Sequence, residues 1–249
     1  MKIKTMKKTL VLLAALAGGS FVGAADSAAP ASTLAPSSSY SVTVDFPYVS
    51  KYVFRGQEIN KGAFQPSVEV TSSDFYGGLW TNFPILNPKG TKDETTELDA
   101  YVGYNYKLSD LVKLDGGLTF YYYPRAHKSK GSNEYTEEAY FGVDLALCGF
   151  TPSLYGYYDF KLRTWTTQAA VGYSIPLKDL GTSLDLSATV GRVAPGVGKS
   201  YLYYAAGLTV PVKLSDRAKL NLGLTYSGLD LNDTRKPGLW YTAGIVVGF

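Results

Sequence analysis

Along most of the chain, apolar and polar residues alternate with a period of two. Phe64, Pro66, Val68 and Val70 interleave with Gln65, Ser67, Glu69 and Thr71, and Leu98, Ala100, Val102, Tyr104 and Tyr106 interleave with Glu97, Asp99, Tyr101, Gly103 and Asn105. A β-strand sends successive side chains to opposite faces, so each segment predicts a strand with one apolar and one polar side. Twelve such segments begin near residues 40, 64, 75, 96, 111, 135, 150, 164, 182, 200, 217 and 239. GQEINKGA, NPKGTKDET, PRAHKSKGSNE, FKLR, VAPGVGK and LDLNDTRKPG follow the odd strands, whereas SSD, LSD, CG, LKDLG and LSDRA follow the even ones. An even strand count with mostly longer loops at one end and short turns at the other predicts an all-β fold: a closed antiparallel transmembrane β-barrel of about 12 strands.

A soluble β-sandwich also alternates, so alternation alone does not decide. Several segments reach the about 9 to 11 residues that a tilted strand needs to cross a bilayer. Aromatic residues gather at the ends of apolar faces, as in Tyr104 and Tyr106, Phe120 and Tyr122, Tyr158 and Phe160, where a membrane interface favours them. The terminal LWYTAGIVVGF puts Leu239, Tyr241, Ala243, Ile245, Val247 and Phe249 on one face and stops on the aromatic. Tyr241, Ile245, Val247 and Phe249 thus form the expected signal for the barrel-assembly machinery.

Composition sharpens this picture. Lys2, Lys4, Lys7 and Lys8 precede the apolar run TLVLLAALAGG and then small residues, which predicts a cleaved signal peptide over residues 1–25. Residues 26–39, rich in Ala, Ser and Pro, read as a flexible leader, and residues 40–249 as the barrel. The four signal lysines exceed the formal net charge of +3, so the remaining chain is slightly acidic and its charge gives no reason to expect nucleic acid. Cys148 is the single cysteine and leaves no partner for an intrachain disulfide. No apolar run beyond the signal approaches the about 18 residues of a membrane helix.

The motifs SKYVFRG, QPSVEV, DFYGGLW, ELDAYVGY, YYYP and EEAYFGV, in this order over roughly residues 40 to 175, resemble the TorF-like porins, a family of outer membrane β-barrel proteins of unknown function. Ser50, Tyr52, Phe54, Arg55 and Gly56, followed by Gln65, Pro66 and Val68, carry the most specific part of the likeness. The family usually continues after the glycine with small aliphatic and hydroxyl residues, whereas GQEIN follows here. The resemblance implies an outer membrane channel and names no solute.

In a barrel the polar faces point to the lumen. The candidate lining is then Asp45, Lys51 and Arg55 from the first strand, with Glu69, Glu97, Asp99, Asp115, Glu138, Asp144, Asp159 and Asp185, and Arg163 near a rim. Opposed charges either line a wet pore or pair to brace the wall. In the first strand, YVSKYVFRG predicts Phe46, Tyr48, Ser50, Tyr52 and Phe54 towards lipid and Lys51 and Arg55 towards the lumen. A slip of one residue would put both cations in the bilayer, at about 2–4 kcal/mol each near its midplane.

Catalysis would need a nucleophile beside a base, and the only histidine, His127, sits in the basic loop PRAHKSKG with no serine in a recognisable setting. GGLW and GVGK lack the strand, loop and helix of a phosphate site. The sequence therefore predicts a non-enzymatic porin without cofactor or metal, exported to the outer membrane of a Gram-negative-type bacterium. Its partners would be membrane lipid, the assembly machinery and small hydrophilic solutes diffusing passively. The alternatives are a structural or adhesive barrel, or an outer membrane hydrolase.

Overall fold

A computed structural model describes residues 40–86, 95–126, 133–231 and 237–249. The expected signal peptide and leader, and His127, lie outside the described residues. The strands are β1 (Ser41–Phe54), β2 (Gln57–Phe64), β3 (Ser67–Ser72), β4 (Phe75–Leu86), β5 (Glu97–Lys107), β6 (Val112–Tyr122), β7 (Tyr135–Leu145), β8 (Phe150–Asp159), β9 (Thr164–Leu177), β10 (Thr182–Ala194), β11 (Tyr201–Lys213), β12 (Ala218–Leu229) and β13 (Gly238–Gly248).

Sequential strands pair antiparallel round the wall, and β1 returns to β13 from Thr43 opposite Gly248 to Val49 opposite Thr242. The sheet is therefore closed and has no free edge, which is what a bilayer demands of a spanning sheet. β2 and β3 are two pieces of one stave, interrupted where Gln65 and Pro66 leave the ladder, so thirteen strands make a twelve-stave barrel. Pro66 has no N–H to contribute. The break is bridged instead by Gln65 N donating to Pro47 O at 2.9 Å and Thr81 N donating to Pro66 O at 3.0 Å.

The alternation sets the facing. Leu79, Val102, Leu118, Phe141, Leu154, Leu202 and Leu224 lie exposed on the outside, as a lipid-facing band requires. Ring pairs such as Phe75 with Tyr104 and Phe150 with Tyr173 stand on this surface near the short turns. The same tetrapeptide makes two of those turns: Lys107 bonds Asp110, and Lys213 bonds Asp216, each at 2.7 Å. Ser109 and Ser215 accept backbone N–H groups within them. Hydrogen bonds from the lysines hold both aspartates below the usual carboxylate range.

One expected connection is a strand. GQEINKGA, read from sequence as the first long loop, forms most of β2, and the chain reverses in the two residues Arg55 and Gly56. Their φ values, 43° and 77°, are the paired left-handed conformations of a tight hairpin turn. The cause of the difference is where the segment lies. β1 pairs with β13 only as far as Val49, and β2 pairs with β4 only from Lys61 onward. Residues 50–60 thus pair only within the β1–β2 hairpin and leave the wall. A strand without a lipid face has no reason to show an apolar alternation.

Candidate functional site: the lumen and its in-folded hairpin

The tip of the β1–β2 hairpin turns into the barrel. At its root, Tyr241 N donates to Ser50 Oγ at 2.9 Å in place of the next ladder bond. Ile59 forms a bulge where the register shifts between Tyr52 and Val53. Bulges bend and twist a strand, and this one accompanies the turn inward. Tyr52 and Phe54, expected towards lipid, are instead buried to 1% exposure each. Aromatic residues satisfy a packed interior as well as a membrane, so the strand's composition did not separate the two.

Arg55 is the anchor of the tip. Its guanidinium donates to both oxygens of Glu138 on β7, at 2.8 and 3.0 Å, and lies over the rings of Phe54 and Tyr157 at 4.6 and 4.9 Å. β7 is the fifth stave from β1, nearly across the barrel. Gly56 packs against the opposite wall, where an added Cβ would stand 2.6 Å from Tyr203 Cβ and 2.9 Å from Gly228 O. Gln57 Nε2 donates to Tyr201 Oη at 2.7 Å. Tyr52 Oη donates to Glu97 at 2.9 Å and its ring lies 5.5 Å from that of Trp80. Tyr121 and Tyr123 pack on one flank of the tip, and Val193, Tyr201, Tyr203 and Leu229 form a second apolar cluster. The loop-end half of the lumen is therefore closely packed.

The turn-end half is built differently. Four inward tyrosines here face a glycine on the neighbouring strand, Tyr76 opposite Gly103, Tyr101 opposite Gly78, Tyr140 opposite Gly117 and Tyr155 opposite Gly142, and Tyr203 opposite Gly191 repeats the pairing in the packed half. In each pair an added Cβ on the glycine would meet the tyrosine side chain. Each ring thus lies along the wall over its glycine, a cross-strand lock that keeps bulk out of the axis. The hydroxyls are tied down too. Tyr76 Oη donates to Asp115 at 2.7 Å, Tyr155 Oη to Asp115 at 2.9 Å, and Tyr101 Oη to Glu69 at 3.0 Å.

The wall from β9 to β13 carries small inward residues, among them Ala170, Ser187, Thr189, Gly207, Thr225 and Thr242. Small residues here and flattened rings opposite leave the turn-end lumen partly accessible: Glu69, Asp115, Asp144 and Asp185 are all intermediate in exposure.

The structure separates the sequence-chosen lining into tiers. Arg55, Glu97, Asp99, Glu138 and Asp159 are buried in the packed half, while Asp45, Glu69, Asp115, Asp144 and Asp185 are half-buried. Lys51 lies 3.6 Å from Glu58 and bonds Pro237 O. Arg163 is exposed in the turn between β8 and β9, with φ 52°. Tyr52, Phe54, Trp80 and the tyrosine–glycine pairs were missed. Glycines inside strands are the signal that could have found the pairs, because an interior glycine marks a close approach.

The solved structures most like this fold include a KdgM porin, at TM-score 0.53 and 10% identity over 83% of this chain and 99% of that one. A NanC porin aligns at TM-score 0.50 and 13% identity, over 84% of this chain and 98% of that one. An outer membrane channel from Pseudomonas putida F1 aligns at TM-score 0.52 and 10% identity, over 87% of this chain and 97% of that one. These likenesses show the fold shared with outer membrane barrels. No curated protein matches the sequence. A family model does match, over residues 33–208, and by it the chain belongs to the Gcw_chp family, bacterial proteins described as of unknown function.

Proposed function

We propose that this protein is an outer membrane channel for passive diffusion of small hydrophilic solutes, narrowed at its loop end by the β1–β2 hairpin. The observation that carries the reading is the turn-end lumen: a closed wall whose inward carboxylates and hydroxyls keep partial solvent access while its large rings lie flat over glycines. A barrel of about eight strands fills with side chains and one of 16 to 18 holds a wide channel, so twelve staves suit a narrow passage. The porin and channel folds among its structural neighbours, and the motif resemblance to TorF-like porins, support the same reading. Solute identity does not transfer at such low sequence identity.

The reading includes export to the outer membrane, assembly through the C-terminal face bearing Tyr241, Ile245, Val247 and Phe249, and no catalytic role. The close packing of the loop-end half favours one competitor, a non-conducting structural barrel. Swelling of proteoliposomes in solutes of graded size separates them. The channel admits small polyols and amino acids with a sharp size limit, and a structural barrel admits none.

A further inference from the structure

The charges facing the lumen do not balance once its ion pairs are set aside. Arg55 is matched by Glu138, Lys51 by Glu58, and Lys113 by Asp144 at 3.0 Å. Lys219 faces inward at the turn end, and three further inward carboxylates are held by neutral donors. Asp115 receives tyrosine hydroxyls, Glu69 receives one, and Asp185 receives Ser174 and Ser183 at 2.6 and 2.8 Å. A hydroxyl satisfies a lone pair and leaves the negative charge in place.

Deeper, at the foot of the in-folded tip, Glu97 and Asp99 stand two residues apart on the inward face of β5. Glu97 accepts from Tyr52 at 2.9 Å and has the Tyr123 hydroxyl beside it as a second donor. Asp99 is fully buried, and neither of its oxygens has a hydrogen-bond partner among the described residues. A desolvated carboxylate without donor or counter-charge is one of the most costly groups a protein can hold. Beside Glu97, Asp99 calls for a proton or a cation to neutralise it.

Resting on the channel reading, we propose that the lumen selects cations and that Glu97 and Asp99 form the seat a cation occupies as it passes the constriction. The solutes it favours are small inorganic cations and small organic ammonium ions. Carboxylate oxygens replace part of a cation's hydration shell, whereas an anion meets repulsion along the whole path from Asp185 and Asp115 to Asp99. The matched charges of Arg55 and Lys51 brace the tip without cancelling this field.

The test is the reversal potential of the purified full chain in a planar bilayer under a potassium chloride gradient at neutral pH. The wild type is expected to pass potassium several-fold better than chloride. The isosteric double variant Glu97→Gln/Asp99→Asn is expected to fall towards equal permeability, and Asp115→Asn to lose a smaller part. Heat-modifiable gel migration checks that each variant is a folded barrel, and each single variant, Glu97→Gln or Asp99→Asn, serves if the double does not fold. A conducting wild type with no cation preference overturns the inference and leaves the channel standing. An unchanged ratio in folded variants overturns the seat. A protein that never conducts overturns the channel reading and this inference with it.

Discussion

Arg55, at the tip of the first hairpin, and Glu138, five staves round the wall on β7, hold each other through two hydrogen bonds at 2.8 and 3.0 Å with the guanidinium and carboxylate both out of water. The fork-to-fork geometry fixes orientation as well as distance. An excursion of the hairpin into the lumen is thereby pinned to the far side of the barrel.

Arg55→Ala leaves the Glu138 carboxylate buried and uncompensated. Breaking one partner of a buried pair costs about 3–5 kcal/mol, and unfolding in urea from detergent micelles is expected to show a loss of that order. Removing both charges in Arg55→Ala/Glu138→Ala is expected to cost less than the two single changes summed, because neither charge is then stranded. Lys219→Ala, beside a short turn, should change neither stability nor conductance to a comparable degree.

Gly142→Ala puts a methyl group into the ring of Tyr155 and must push that ring off the wall. Overpacking of this kind costs about 1–3 kcal/mol. The displaced ring enters the lumen, so conductance should fall along with stability. Tyr155→Ala combined with Gly142→Ala should recover the conductance, and an additive result would deny the pairing of ring and glycine.

Gly56→Val disturbs the tip itself. Gly56 has φ 77° and no space for a Cβ against Tyr203, and a β-branched residue held in that conformation costs about 1–3 kcal/mol before any clash. The tip is expected to lift from its seat. Trypsin offers a direct reading: Arg55 is buried and should resist cleavage in the wild type, while the variant should be cut after Arg55 with the wall intact.

Deletion of Phe249 removes the residue whose backbone exchanges hydrogen bonds with Val42, at 3.3 and 2.9 Å, next to the β1–β13 seam. Its ring lies on the lipid side, 67% exposed. Loss of outer membrane assembly is the expected outcome, measured as disappearance of the heat-modifiable folded band. Normal assembly would show that the terminal aromatic serves neither closure nor recognition.

Most of the wall was legible because lipid imposes a period of two. Segments such as Leu98 to Tyr106 and Leu114 to Tyr122 had to alternate, and they gave strand number, facing and approximate bounds. Legibility stopped at residue 50, where the chain leaves the wall. There Tyr52 and Phe54 meet protein on all sides, and the polar Gln57 and Asn60 need no lipid face. The Arg55–Gly56 turn also lacks the asparagine or aspartate that usually announces a two-residue hairpin. Which acids would find a cation was beyond sequence altogether, since Glu138 and Asp99 share the same inward facing and differ only in what reaches across to them.

Single-channel conductance tests the central claim most directly: the wild type against a variant in which residues 51–59 are replaced by Asn-Gly, so that β1 turns back within the wall. A channel constricted by its in-folded hairpin is expected to conduct weakly in the wild type and several-fold more strongly in the shortened variant, with both folded. Equal conductance in the two, or silence in both, would contradict it.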